Sequence, residues 1–295
     1  MSLNRRYTTI GMVTFVDLLG FSDRVRSMAT VADLEAIERD VTLAQAWFDH
    51  RSDENSVRTS HRLRRKQVLA FSDCLVSSVS SFSEMTQLQG DFDVLMGEIF
   101  IMALAQARCA TSGIFLRGAS DYGIWFKRKD TIISPAMVGA YELERAACVP
   151  MIAISDTLRQ HLECHAGRQA YSEDADPFPK SIRRYGNLPN GEAHWFIDYM
   201  PLWLEALDGF IAAEDQAEYQ AAGPDRRDEM RTQAYLRDVR QMVEMHRDAI
   251  RSAHTAATMP SVRAKYVWLA TYHDDALARF WNEPPAELFV GTLAV

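Results

Sequence analysis

Two aspartates, Asp17 and Asp73, each stand where an apolar run meets a turn. The first lies in Phe15-Val16-Asp17-Leu18-Leu19-Gly20-Phe21-Ser22 and the second in Leu69-Ala70-Phe71-Ser72-Asp73-Cys74-Leu75-Val76. Carboxylates presented from neighbouring strands make a site for a pair of hard divalent cations, which prefer oxygen ligands. The Gly20-Phe21-Ser22 run after the first aspartate is small and turn-tolerant enough for backbone N–H groups to approach a phosphate. Taken singly, either segment also reads as an ordinary strand-end aspartate, since Asp is common at turns. A third segment completes an ordered set: Ser134-Pro135-Ala136-Met137-Val138-Gly139-Ala140-Tyr141-Glu142-Leu143-Glu144-Arg145-Ala146-Ala147.

Elements of regular structure must hold these residues. Residues 7–16 are rich in β-branched and apolar side chains and read as a central strand. Residues 30–49 carry helical periodicity through Val31, Leu34, Ile37, Val41, Ala44 and Trp47, with Thr30 as N-cap. The polar stretch 50–66 reads as an exposed loop or hairpin arm, and its Arg62, Arg64, Arg65 and Lys66 either meet phosphates or are solvated. Residues 67–79 give two strands meeting at Phe71-Ser72-Asp73, followed by a helix over 91–110. A strand is expected over 114–122 with 123–129 as its hairpin partner. Next come a helix opened by Ser134-Pro135, a short strand at 151–154 and a helix over 156–165. A final hairpin over 181–199 turns at Asn187, Pro189, Asn190 and Gly191.

This order predicts an α+β layer: one antiparallel-rich sheet with helices packed on one side. Beyond residue 200 the pattern turns helical. Leu236, Val239, Val243, His246 and Ile250 recur at three- and four-residue steps along one long amphipathic helix. The expected division is a domain over 1–200 and a helical extension over 201–295.

A net charge of -8 speaks against a general nucleic-acid binder, although metal ions can still neutralise a nucleotide's phosphates. Four widely spaced cysteines, Cys74, Cys109, Cys148 and Cys164, form no CxxC pair, which fits reduced thiols in a cytoplasmic protein. The start lacks the apolar core of a signal peptide. The longest apolar stretch, 94–107, is interrupted by Glu98 and reads as too short for a bilayer. His161 and His165 stand four apart, a spacing that can bind zinc, but the pattern reads better as a surface helix.

In order, the three segments resemble the class III nucleotidyl cyclases over about residues 7–200. In that family the first strand ends in Phe-x-Asp-(Ile/Leu)-x-Gly-Phe-(Ser/Thr), matched from Phe15 to Ser22. The second and third strands meet at Gly-Asp, here Ser72-Asp73, and a later helix carries Asn-x-x-x-Arg, here Tyr141-x-x-x-Arg145. The resemblance implies a palm or ferredoxin-like α+β fold and an intramolecular phosphoryl transfer. A ribose 3′-hydroxyl attacks the α-phosphorus of a nucleoside triphosphate and displaces pyrophosphate. Asp17 and Asp73 would bridge two Mg²⁺ or Mn²⁺ ions, with the Leu18 carbonyl completing the second metal position. The Gly20, Phe21 and Ser22 N–H groups would hold phosphate.

The resemblance further implies a head-to-tail homodimer, in which one subunit supplies the aspartates and the other the helix bearing Arg145. Arg145 either stabilises charge on the α-phosphoryl oxygens or pairs with Glu142 or Glu144. Tyr141 either meets the base or ribose or is a half-buried aromatic. Arg183 or Arg184 is the candidate triphosphate base, an ordinary surface Arg being the other reading, and Arg117 is expected to face the cleft from the fourth strand.

Family members that use purines place a Lys on the second strand and an Asp or its equivalent before the later helix. Leu69 and Ser134 occupy those slots here, and Tyr141 replaces the Asn. A site lacking the expected polar partner discriminates against that base. The Tyr substitution is similar to the pyrimidine cyclases of the bacterial antiphage systems called Pycsar. Those make 3′,5′-cyclic UMP or cyclic CMP, which activates a cyclic-nucleotide-binding effector. The expectation is therefore UTP, with CTP next. A purine cyclase and an inactive cyclase-like binding module are the remaining readings.

Overall fold

The computed structural model describes residues 8–49, 54–128, 131–186 and 188–294. The chain divides into two compact units: one runs to Ala110 and resumes over Ile114–Tyr199, and the other comprises Thr111–Gly113 and Met200–Val295. The strands are β1 (Thr8–Leu18), β2 (Gln67–Phe71), β3 (Cys74–Ser80), β4 (Leu116–Arg128), β5 (Thr131–Ile133), β6 (Ile152–Ile154), β7 (Ile182–Tyr185) and β8 (His194–Ile197). Among the described residues they form one sheet in the order β2-β3-β1-β4-β6-β8-β7, with β5 paired to β4. Every pairing is antiparallel except β4 with β6.

The first unit's helices are α1 (Phe21–Ser27), α2 (Val31–Asp49), α3 (Glu54–Arg64), α4 (Glu84–Gln89), α5 (Asp91–Thr111), α6 (Pro135–Ala147), α7 (Asp156–Glu163) and α8 (Pro177–Ser181), α5 ending just past the unit's break. Then follow α9 (Tyr199–Glu205), α10 (Gln216–Ala221), α11 (Pro224–Ala256) and α12 (Pro260–Phe280).

Helices cover both faces of the sheet, not one as expected. On one face Val13, Phe15 and Val76 pack with Ala136 and Ala140 of α6. On the other, Thr14 of β1 donates to Met102 of α5, and Ser77 of β3 to Glu98 of α5. The physical reason lies in β1 itself, where residues 11–16 are buried at consecutive positions. A strand apolar on both sides needs cover on both sides.

Three further expectations are corrected. The stretch 50–66 is not an open loop where it is described, because α3 occupies Glu54–Arg64; residues 50–53 lie outside the described residues. Arg64 and Lys66 serve the interior, whereas Arg62 and Arg65 are exposed. Lys66 Nζ lies 2.7 Å from the buried Glu98, Arg64 reaches the same carboxylate, and Arg65 donates to the Phe82 carbonyl. Nor do residues 114–129 fold back at Gly123, since β4 runs unbroken to Arg128 and its hairpin partner is β5. Gly123 marks close helix approach: a Cβ there would sit 3.3 Å from that of Ala136. Tyr7, Lys129 and Asn187, also read as strand or turn residues, lie outside the described residues.

The apolar stretch read as 94–107 belongs to the 21-residue α5, long and apolar enough by composition to cross a membrane. Its apolar surface is instead spent within the fold, with Phe92, Leu95, Ile99, Met102 and Ala103 buried and Glu98 ion-paired. In the second unit the stripe of α11 is Met230, Ala234, Val239, Val243, His246 and Ile250. Leu236, expected on it, is exposed.

Candidate active site

Pairing geometry brings the two aspartates together. In the β1–β3 register Asp17 stands opposite Cys74, the residue after Asp73, and β2 joins β3 through the Ser72-Asp73 turn. Ser72 has φ 57°, the left-handed conformation a tight turn needs. Ligand atoms of Asp17, Asp73 and Cys74 all lie within 4.8 Å of one another.

Burial, with Asp73 beside it, pushes the Asp17 carboxyl up to about 7, and the nearby Arg117 only partly opposes this. The second negative charge of the pair is thus unfavourable by itself and would be stabilised by a cation. The Cys74 thiol is pushed up to about 12 by burial and the same carboxylates. The two carboxylates supply the oxygen donors that a hard divalent cation prefers, with the Cys74 sulfur beside them.

Arg117 lies on β4 beside these carboxylates. It stands opposite Asp17 in the β1–β4 register, with Nη2 3.2 Å from Asp17 Oδ2. Its Nε is ion-paired to Glu144 of α6. Sequence reading had Glu144 only as a partner for Arg145. Its signal was present nonetheless: Ala136, Ala140, Glu144 and Ala147 share the buried stripe of α6, where a carboxylate requires a cation.

Leu18 ends β1, and Gly20 caps α1 in the left-handed conformation at φ 80°. Phe21 and Ser22 open that helix, where N–H groups lack intrahelical acceptors. Leu69 lies on the α6 side of the sheet, packed against the cluster of Val13, Phe15 and Val76. Tyr141 meets Phe15 edge-on at 5.4 Å while remaining partly exposed. Arg145, one turn further along α6, is exposed, with its guanidinium 5.9 Å from the Tyr141 ring centre. Ser134 caps α6: its hydroxyl donates to the Ile124 carbonyl and accepts from Met137 N–H.

Arg183 and Arg184 are not brought to this cluster within one chain. They lie on β7, four strand steps from β1 and so roughly 19 Å away at the usual inter-strand spacing.

The histidine pair is half-buried rather than on an open surface helix. His161 Nε2 lies 3.1 Å and His165 Nε2 3.7 Å from Asp91 Oδ2. Gly167 N–H donates to His165 Nδ1, so that ring carries a proton on the nitrogen facing Asp91. One ligand atom each of Asp91, His161 and His165 lies within 4.8 Å of the others, so the spacing that suggested zinc does bring three potential metal ligands together. The four cysteines are free thiols.

No protein-family model and no curated protein matches the sequence. Among solved structures, the chain is similar to a bacterial light-regulated adenylyl cyclase at 12% identity and TM-score 0.38, over 64% of this chain and 90% of that one. It is also similar to the monomeric guanylyl cyclase domain of the RhoGC fusion protein from the aquatic fungus Blastocladiella emersonii. That match has 11% identity and TM-score 0.42, over 64% of this chain and 95% of the other. A third is the adenylyl cyclase CyaB from P. aeruginosa, at 14% identity and TM-score 0.35, over 64% and 94% of the two chains.

Proposed function

We propose that the chain is a metal-dependent class III-type nucleotidyl cyclase acting on a pyrimidine nucleoside triphosphate, UTP ahead of CTP. One observation carries the reading: Asp17 and Asp73, from different strands, converge on a single oxygen-donor cluster whose negative charge calls for a cation. Two divalent cations on these carboxylates, with the Leu18 carbonyl, would supply acidification of the ribose 3′-hydroxyl and neutralisation of the triphosphate.

The chain's own groups do the rest. Gly20, Phe21 and Ser22 offer backbone N–H donors to phosphate. Arg145 offers a planar fork to the α-phosphoryl oxygens, reaching them from a second copy in a head-to-tail homodimer. Arg183 or Arg184 serves the triphosphate in the same assembly, which suits their distance from the carboxylates of their own chain.

The pyrimidine assignment is supported by what lies at the base-reading slots. Leu69 has no donor and is taken up in an apolar cluster. The one hydroxyl proton of Ser134 is committed to Ile124. Tyr141 presents a partly exposed ring suited to stacking on a small base. In this reading residues 1–200 are the catalytic domain and 201–295 a helical extension. The product, 3′,5′-cyclic UMP, signals to a cyclic-nucleotide-binding effector in cytoplasmic antiphage defence.

The test is incubation of purified protein with each of the four nucleoside triphosphates and Mn²⁺ or Mg²⁺, with products identified by mass spectrometry. Cyclic UMP is expected as the main product. Cyclic CMP would move the assignment to the other pyrimidine, cyclic AMP or GMP would overturn it, and no cyclic product would favour a binding module.

A further inference from the structure

The Arg117 guanidinium is shared between two carboxylates of unlike standing. Glu144, on the α6 stripe that packs against the sheet, has a side chain only 2% exposed. Asp17 is 20% exposed and stands at the strand end beside Asp73. The arginine uses different nitrogens for the two, Nε for Glu144 and Nη2 for Asp17. Breaking the inner contact would take a cation away from a carboxylate that is only 2% exposed, which is unfavourable. Breaking the outer one exposes Asp17 Oδ2 to whatever cation replaces it. The inner contact is therefore a fixed pivot and the outer one an exchangeable arm.

We propose that Glu144 is a positioning residue which anchors Arg117 through Nε, so that the outer arm of Arg117 neutralises Asp17 until a divalent cation displaces it. The inference rests on the two-metal reading of Asp17 and Asp73. It adds to that reading a built-in competitor: an internal cation on a carboxylate that would hold the metal. Once displaced, the Nη2 arm remains tethered within reach of the anionic substrate that arrives with the metal. Without Glu144 the guanidinium keeps Asp17 as its ion-pair partner among the described residues, and the competition with the metal grows stronger.

The test is Mn²⁺ titration of the full-length, nucleotide-free protein, with free Mn²⁺ read by electron paramagnetic resonance. Arg117→Gln should tighten Mn²⁺ binding by about fivefold, the scale of a partly exposed ion pair. Glu144→Gln should weaken it by a similar factor. The double variant removes both charges together, guarding against misfolding from a stranded carboxylate, and should bind as tightly as Arg117→Gln. A merely structural pair would lower the melting temperature in each variant and leave metal affinity unchanged.

Wild-type protein that binds Mn²⁺ no more weakly than Arg117→Gln and the double variant overturns the exchange alone. Absence of Mn²⁺ binding in all four proteins overturns the two-metal reading and the exchange with it. Tightening in the arginine variants without weakening in Glu144→Gln overturns the pivot role of Glu144.

Discussion

Acidification should loosen the C-terminal unit through a buried histidine pair. His246 of α11 and His273 of α12 are both fully buried, with their Nδ1 atoms 2.8 Å apart. His273 Nε2 lies 3.0 Å from the Leu288 carbonyl, which only accepts, so Nε2 carries the proton and Nδ1 must accept from His246. A second proton on His273 would set two N–H groups face to face. Burial accordingly holds His273 down at about 4, despite the upward pull of the Leu288 carbonyl and Asp274, and burial beside His273 lowers His246 as well.

An unfolded histidine titrates near 6.5, above the folded value. The stability is therefore complete above about pH 6.5 and is lost as the pH falls towards 4. At pH 5 the loss from His273 alone is about 2 kcal/mol. Urea unfolding at pH 7 and pH 5, with hydrogen exchange reporting α11 and α12, measures it. His273→Gln can still donate to Leu288 and accept from His246, yet does not titrate. Its stability should fall by about 2 kcal/mol less between the two pH values than that of the wild type. Equal losses in the two proteins would refute the reasoning.

On the proposed two-metal reading, Asp73→Asn should reduce cyclase turnover by roughly a hundredfold or more while circular dichroism stays unchanged, because it removes one of the two carboxylates proposed to hold the metals from a turn and no core contact. Gly118→Ala should lower the melting temperature. Its Cβ would come within 2.6 Å of the Phe15 carbonyl and 2.8 Å of Val16 Cγ2, an overpacking worth about 1–3 kcal/mol; an unchanged melt would show that β1 and β4 can spread. Gly139→Ala should cut kcat more than stability, since its Cβ would overlap the Asp121 carboxylate and shift α6, which carries Tyr141, Glu144 and Arg145. Steady-state kinetics beside a thermal melt separates the two effects.

The strands and helices that carry the candidate site were largely legible, because their signals are local. Ser134-Pro135 marks the start of α6, and the side chain of Ser134 does cap it. Periodicity likewise marked α2 and α11. What escaped depends on partners far along the chain. The polar composition of 54–64 gives no hint that the residues beside it are drawn in by Glu98 of α5. Gly123 looks like a turn residue until the approach of Ala136 explains why a side chain is excluded. Glu144 was visible only as a charge on an otherwise apolar helix face, and its partner Arg117 lies on a different strand. His161 and His165 carried a recognisable spacing, but α7 ends at Glu163, so His165 lies beyond it, and Asp91 and the Gly167 N–H that bond these rings lie outside that helix as well.

The site's precision follows from the same feature that builds the core. Asp17 shares the α6 face of β1 with Val13 and Phe15, while Met12, Thr14 and Val16 are buried on the α5 face. A one-residue slip of β1 would exchange these faces, turning Asp17 towards α5 and Val16 towards α6. Both neighbours oppose that slip, since β1 is in register with β3 from Gly11 to Asp17 and with β4 along its whole length. Asp17 therefore stays between Asp73 on one side and Arg117 on the other as long as the apolar core holds. The three charges meet at the strand end because the core cannot be rearranged cheaply, so on the two-metal reading core changes that break the β1 register should weaken Mn²⁺ binding and lower the melting temperature together.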